Sequence, residues 1–225
     1  MSRGFLATPD DRMNAIPPLG TVLSLQGRGY GTGYALDSSP YGNHGTITGA
    51  TWERLSGGVW VNSFDGSDDL ITIGQAGSLA NIQPPVTFMT WIYSTAYESS
   101  YRMVMTKSSK CELRLNDTSK TIQWWFTDVD VAATTTVMVN GTSYFVAGTY
   151  DGSIMRVFLN GVVEGTHSTT NAIPDNTGID LVIGARSGGG FPWPGRLALG
   201  RIVMRALSPA EVGGIFQSER RLFGV

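Results

Sequence analysis

The segment from Ser143 to Thr166, SYFVAGTYDGSIMRVFLNGVVEGT, constrains this chain more than any other. Asp151-Gly152 and Asn160-Gly161 interrupt three runs rich in β-branched and aromatic residues, and both dipeptides supply the positive φ that short hairpin turns need. In the middle run Met155, Val157 and Leu159 alternate with Arg156, Phe158 and Asn160. A period of two sends one set into a core and the other toward solvent or a second layer. Three strands joined by two tight turns make this an antiparallel β protein.

At 225 residues an all-β chain is long enough to bury one core as a single sandwich. The 29 glycines fit many short strands linked by turns. With 16 basic and 18 acidic residues the net charge is −2, which gives no electrostatic ground for nucleic-acid binding. No run approaches the length of a membrane span, so no membrane insertion is expected. The N-terminal MSRGFLATPDDRMNAIPPLG has no apolar stretch of signal-peptide length. Cys111 is the only cysteine and excludes an internal disulfide. Its place in the alternating CELRLN predicts a buried, inert thiol.

Residues 1–19 hold three prolines, an acidic pair at Asp10-Asp11 and no periodicity. They read as an extended arm, with Met13, Ile16 and Leu19 as apolar anchors for a neighbouring subunit. Residues 20–225 form the sandwich. Strands are expected near 20–26, 59–65, 69–74, 86–94, 101–107, 111–116, 121–127, 134–139, 143–150, 154–160, 162–167, 180–184 and 195–204. This close spacing fits a sandwich or jelly roll rather than alternating β/α units. One helix is predicted. Ser208-Pro209-Ala210-Glu211 sets Ser at the N-cap, Pro at the first helical position and Glu three residues after the cap. It should run to about Gln217 and turn Val212, Ile215 and Phe216 to the sandwich. The glycines at 27, 29, 31 and 33 precede no helix, so they mark a packed or flexible loop rather than a phosphate cradle.

FDGSDDLITI (64–73), TFMTWIYS (87–94), the double hairpin and GRLALGRIVMRALSPAEV (195–212) follow one another in an order that resembles the laminin-G-like, concanavalin-A-like jelly rolls of bacterial and phage proteins. The stretch from Asp37 to Trp52, which ends in YGNHGTITGATW (41–52), looks like the segment that opens such a domain. The resemblance spans roughly residues 35–217. It implies an all-β antiparallel sandwich with a short C-terminal helix. For function it implies far less, because relatives bind sugars, bind proteins, build virions or space other domains.

Three kinds of site follow. Relatives often hold calcium at a sheet edge, where a hard cation needs several oxygens. Asp37 and Asn43 match the polar positions of the opening loop, and Asp68-Asp69 could add charge. Many relatives also carry an acidic pair early in the last strand, where this chain has Ala198 and Leu199, which counts against a site of that type. Jelly-roll glucanases cleave with paired carboxylates on one strand. Here only Asp128 and Asp130 stand two apart, and the two histidines, His44 and His167, fit no triad or metal spacing. No enzyme activity is expected. Sugar binding is the third kind. Trp124 and Trp125 are adjacent on a strand and must face opposite ways, one into the core and one outward, where an indole could stack on a pyranose or be covered by a partner. Trp193 matches a structural aromatic of the family. Phe191 has no such counterpart and is expected to meet a ligand or partner.

The expected function is a non-enzymatic structural or binding module. The leading reading is a phage virion component, such as a capsid decoration, capsid-associated or tail protein, held to other capsid subunits or to its own copies by the arm. The alternative is a carbohydrate-binding module for cell-surface glycans.

Overall fold

The computed structural model describes residues 17–29, 31–75, 77–96, 101–126 and 130–225. Met13 and Ile16, and the arm before Pro17, lie outside the described residues. Two antiparallel sheets pack face to face. The first contains β14 (Val162–Ser168), β13 (Ile154–Leu159), β12 (Ser143–Tyr150), β7 (Val86–Ser94), β16 (Pro194–Val203), β5 (Trp60–Asp65) and β4 (Thr51–Arg54) in that spatial order, with β1 (Thr21–Ser24) also paired to β16. The second runs β11 (Val131–Ala133), β10 (Thr121–Phe126), β9 (Cys111–Asn116), β8 (Tyr101–Lys107), β15 (Leu181–Ile183), β6 (Leu70–Gly74), β3 (Gly45–Thr48) and β2 (Tyr34–Ala35).

The main core lies between the sheets. Met155, Val157 and Leu159 point into it, as their alternation predicts, and Phe158 points the other way into a second apolar layer. Trp124 fills the centre of the main core, 4.9 Å from Phe88 between ring centroids. A Cβ on Gly148 would come within 2.5 Å of that indole, so only glycine lets β12 pass it. The second layer covers the outer face of the first sheet. Met89, Trp91, Phe145, Ala147 and Phe158 meet Val212 and Phe216 of helix α1 (Pro209–Glu219). That is why β7 reads as an almost continuous apolar run: both of its faces are buried.

Helix α1 begins where the sequence places it. Ser208 Oγ accepts from Glu211 N, and Glu211 Oε2 accepts from Ser208 N at 2.8 Å. Val212 and Phe216 are buried and Ile215 packs beside them. The Asn160-Gly161 turn has φ of 48° and 81°, the expected pair of positive angles. At the other turn only Gly152 is positive, and Asp151 instead accepts hydrogen bonds from the backbone N–H of Ser153 and Ile154.

One strand moves. The expected 134–139 is not laddered, and β11 occupies Val131–Ala133. Thr134 and Met138 are buried while residues 135–137 and 139 are exposed, so the burial does not keep the period of two of a strand. The backbone bonds go elsewhere: Thr136 N donates to Glu164, Met138 N to Lys120 O and Val139 N to the Tyr144 hydroxyl. Strands β2, β3 and β4, within or beside the opening segment, were not expected. Gly27 and Gly29 prove to be closely packed, since a Cβ would meet the carbonyls of Trp60 at 2.5 Å and Tyr34 at 2.3 Å.

Candidate functional site

Helix α1 covers the outer face of the first sheet, so the outer face of the second carries the exposed chemistry. Its composition follows from alternation. Cys111, Leu113 and Leu115 of β9 point into the core, which turns Glu112 and Arg114 outward. On β10 Ile122, Trp124 and Phe126 point inward, which leaves Gln123 and Trp125 outside. The register sets Trp125 opposite Glu112 and Gln123 opposite Arg114. Tyr101 opens β8 on the far side of β9.

These side chains form a row. The Arg114 guanidinium lies 4.1 Å from the Tyr101 ring centroid and 4.4 Å from that of Trp125. Cation–π contacts of this kind contribute roughly 0.5–2 kcal/mol each. Tyr101 meets Phe191 edge-on at 6.4 Å, and Arg186 lies 4.8 Å from the Phe191 ring. The loop after β15 delivers both residues. Arg186 N donates to Gly190 O, Phe191 O accepts from Met103 N, and Phe191 takes the left-handed φ of 56°. A bulky residue held at positive φ is strained, and here the strain turns the ring outward, 36% exposed.

Glu112 ties the row together. It is fully buried although it faces away from the core. Arg186 Nε and Nη2 donate to its two oxygens at 2.8 and 3.0 Å, Arg114 Nη1 donates at 3.1 Å and Ser109 N at 3.0 Å. Burial pushes the carboxyl upward, but Arg186, the Ser109 amide and Arg114 outweigh it and hold it below the ordinary glutamate value. Burial likewise draws Arg114 below the ordinary arginine value, against the pull of Glu112. Both stay ionised at neutral pH, the carboxyl because it is held below its ordinary value and the guanidinium because that group does not deprotonate in proteins.

The structure therefore brings together two residues that the sequence singles out separately, Trp125 and Phe191, and buries Trp124 in the core. It also reveals four that sequence reasoning did not reach: Tyr101, Glu112, Arg114 and Arg186. The alternation of CELRLN did carry part of the signal, since it puts Glu and Arg on the face opposite Cys and Leu. Nothing local announces that Arg186 arrives 74 residues later to pair with Glu112. Trp193 is buried and donates from Nε1 to Tyr93 O at 3.3 Å. Leu19, the one arm anchor within the described residues, is 88% exposed.

Asp37 and Asn43 come together as a hydrogen-bonded turn. Asp37 Oδ1 accepts from the backbone N–H of Ser24 and Ser39, and Oδ2 from Ser39 Oγ and Asn43 N. Asn43 Nδ2 donates to Val22 O and Ser78 Oγ. Four donors fill the positions around a carboxylate where a cation would otherwise sit. Asp68 and Asp69 lie elsewhere, on the β5–β6 turn, where they and Asp65 bring carboxylate oxygens within 4.8 Å of one another. Burial and the two neighbouring carboxylates raise the Asp69 carboxyl, whose Oδ2 accepts from Asp65 N. Asp128 lies outside the described residues, and Asp130 is bound to His167 Nε2 at 3.0 Å and Asn171 Nδ2 at 2.9 Å. Cys111 is buried and its thiol is pushed up to about 12, chiefly by desolvation, as an inert thiol should be. No helix among the described residues is long and apolar enough to cross a membrane.

No protein of curated function matches this chain in sequence. Among solved structures, the binding domain of Paraclostridial Mosquitocidal Protein 1 superposes with a TM-score of 0.69 at 14% identity, over 88% of this chain and 52% of its own. Domain 4 of AbnA, a GH43 extracellular arabinanase from Geobacillus stearothermophilus solved with arabinotriose, gives 0.68 at 16% identity, over 88% of this chain and 98% of its own. The botulinum neurotoxin serotype D ligand binding domain, solved with N-acetylneuraminic acid, gives 0.65 at 14%, over 89% and 51%. This chain thus spans about half the length of the first and third. At such identities the likeness is one of fold, and no catalytic function is shown. Residues 65–213, which run from the end of β5 into the first turn of helix α1, match the family's own sequence model, and the chain belongs to the concanavalin A-like lectin/glucanases superfamily.

Proposed function

We propose that this protein is a non-enzymatic glycan-binding module whose ligand lies across the outer face of the second sheet. One observation carries the reading: Trp125, Tyr101 and Phe191 stand in a row with Arg114 and Arg186 on the sheet face that helix α1 does not cover. Sugar rings present apolar C–H faces edged by hydroxyls. Aromatic rings meet the faces, and guanidinium and amide groups such as that of Gln123 meet the hydroxyls. Arg114 takes one face of the Trp125 indole and, through Glu112, is locked in place, so the row is organised before a ligand arrives. Preorganisation of this kind lowers the entropy lost on binding. The glycan ligands named for the arabinanase domain and the neurotoxin domain support the reading by analogy of fold.

A glycan array probed with the wild-type protein and with Trp125→Ala tests it. The wild type should bind, and the variant should bind about tenfold more weakly while melting at nearly the same temperature. An array without hits, or equal binding by both proteins, would overturn the proposal.

A place in a virion is a second reading, and it rests on the arm. Leu19 stands 88% exposed just before β1, where a docking segment would leave the sandwich. Deleting residues 2–16 should leave a folded sandwich that no longer enters particles. Incorporation at wild-type occupancy would count against this reading.

A further inference from the structure

Among the described residues, the row of aromatic and arginine side chains holds more positive than negative charge. Two guanidinium groups share the single carboxylate of Glu112. Arg186 forks onto it with Nε and Nη2, while Arg114 gives Nη1 to Glu112 and Nε to Gln123 Oε1 at 3.1 Å. Arg186 Nη1 and Arg114 Nη2 make no hydrogen bond among the described residues. Among the described residues Arg114 and Arg186 pair with this one carboxylate, so the three side chains together carry one net positive charge at neutral pH. The nearby Arg102 does not add to it, since its Nε pairs with Asp117 at 3.0 Å. The Arg114 side chain is 7% exposed and that of Arg186 24%, which makes Arg186 the group that meets solvent.

A partly desolvated positive charge beside aromatic rings is completed by an anion, and a planar carboxylate fits a guanidinium edge better than a point charge does. We propose that the glycans this face selects are acidic ones, bearing the carboxylate of a uronic or sialic acid, with that carboxylate on Arg186 and the sugar ring against Phe191 or Trp125. The inference rests on the glycan-binding reading and adds a substrate class to it. Arg114 is a positioning residue here. It supplies field from below and holds Trp125 and Tyr101 apart.

The test is an array that carries each uronic- or sialic-acid glycan beside its carboxyl-reduced twin, with sulfated neutral glycans as a third group. The acid should bind about tenfold more tightly than its twin, and the preference should shrink between low and high salt as screening grows. Arg186→Gln should erase most of that preference. If this variant fails to fold, the comparison of twins on the wild-type protein at two salt concentrations decides alone. Equal binding of acid and twin would overturn this inference and leave glycan binding standing. Preference for sulfated over carboxylated glycans would overturn the carboxylate assignment. Failure of all three groups would overturn both.

Discussion

Glu219 Oε2 accepts a 2.8 Å hydrogen bond from Trp91 Nε1, 128 residues earlier in the chain. The other oxygen of the same carboxylate pairs with Arg201 Nη2 on β16. Glu219, Trp91 and Arg201 are all buried. The last residue of α1 thus satisfies an indole in the middle of the second apolar layer and neutralises a strand arginine at once. Trp91 is also stacked on Phe223 at 4.1 Å, so the C-terminal segment is fastened by both polar and apolar contacts.

Glu219→Ala should therefore be costly. It leaves the Arg201 charge buried without its carboxylate and the Trp91 N–H without an acceptor. Removing one partner of a buried pair costs about 3–5 kcal/mol. Glu219→Gln keeps an acceptor and should cost less. Urea denaturation of the three proteins measures this, and an alanine variant with the wild-type midpoint would show that the pair does not hold the helix.

The Gly161 turn gives a second prediction. Its φ is 81°, and a Cβ there would lie 3.0 Å from Gly213 Cα and 3.0 Å from Phe216 Cβ. The turn thus serves the hairpin and also seats the helix. Gly161→Val should lower stability by about 1 kcal/mol or more, from strain at positive φ and from collision with α1. Gly152 separates the two causes, because its φ is 96° but a Cβ would meet nothing within 4 Å. Gly152→Val should be the milder change in a thermal melt. Equal losses would mean that the helix contact contributes nothing.

What was legible in the sequence depended on how local the determinant is. The double hairpin, the apolar runs of β7 and β16 and the cap at Ser208 are written in neighbouring residues, and all lie where the pattern places them. The stretch 134–139 misled because its run of Thr and Val has the composition of a strand, while the backbone N–H groups of Thr136, Met138 and Val139 donate to Glu164, Lys120 and Tyr144, partners that no local pattern contains. The candidate site divides the same way. Alternation alone makes Trp125 point opposite to Trp124. The stack around Arg114 needs β8, β9 and β10 side by side, and the loop after β15 laid over them, which only the fold supplies.

Asp37 supports a third prediction. Its carboxylate accepts from Ser24 N, Ser39 N, Ser39 Oγ and Asn43 N, which ties β1 to the opening loop. Asp37→Ala should cost about 1–3 kcal/mol by leaving buried donors unsatisfied. Because these donors occupy the carboxylate, a chelator should leave the melting temperature of the wild type unchanged. A clear fall on chelation would reveal a cation bound only by the folded state, since such a ligand must raise stability.

Asp130 yields a prediction on pH. It is buried, which pushes its carboxyl upward, but hydrogen bonds from Asn171 and His167 prevail and hold it below the ordinary aspartate value of 3.8. A carboxyl whose folded value lies below its unfolded value stabilises the protein fully above the unfolded value. That contribution is lost as pH falls through 3.8 toward the folded value. Asp130→Asn cannot ionise and gives up the contribution at every pH. The variant should thus melt below the wild type at pH 6, and the gap should narrow steadily as the pH drops below about 4. Melting curves of both proteins from pH 6 to pH 2 measure the gap directly. A gap that stays constant over that range would mean that the clasp between Asp130, His167 and Asn171, which joins the β10–β11 edge of the second sheet to β14 of the first, does not depend on the charge of Asp130.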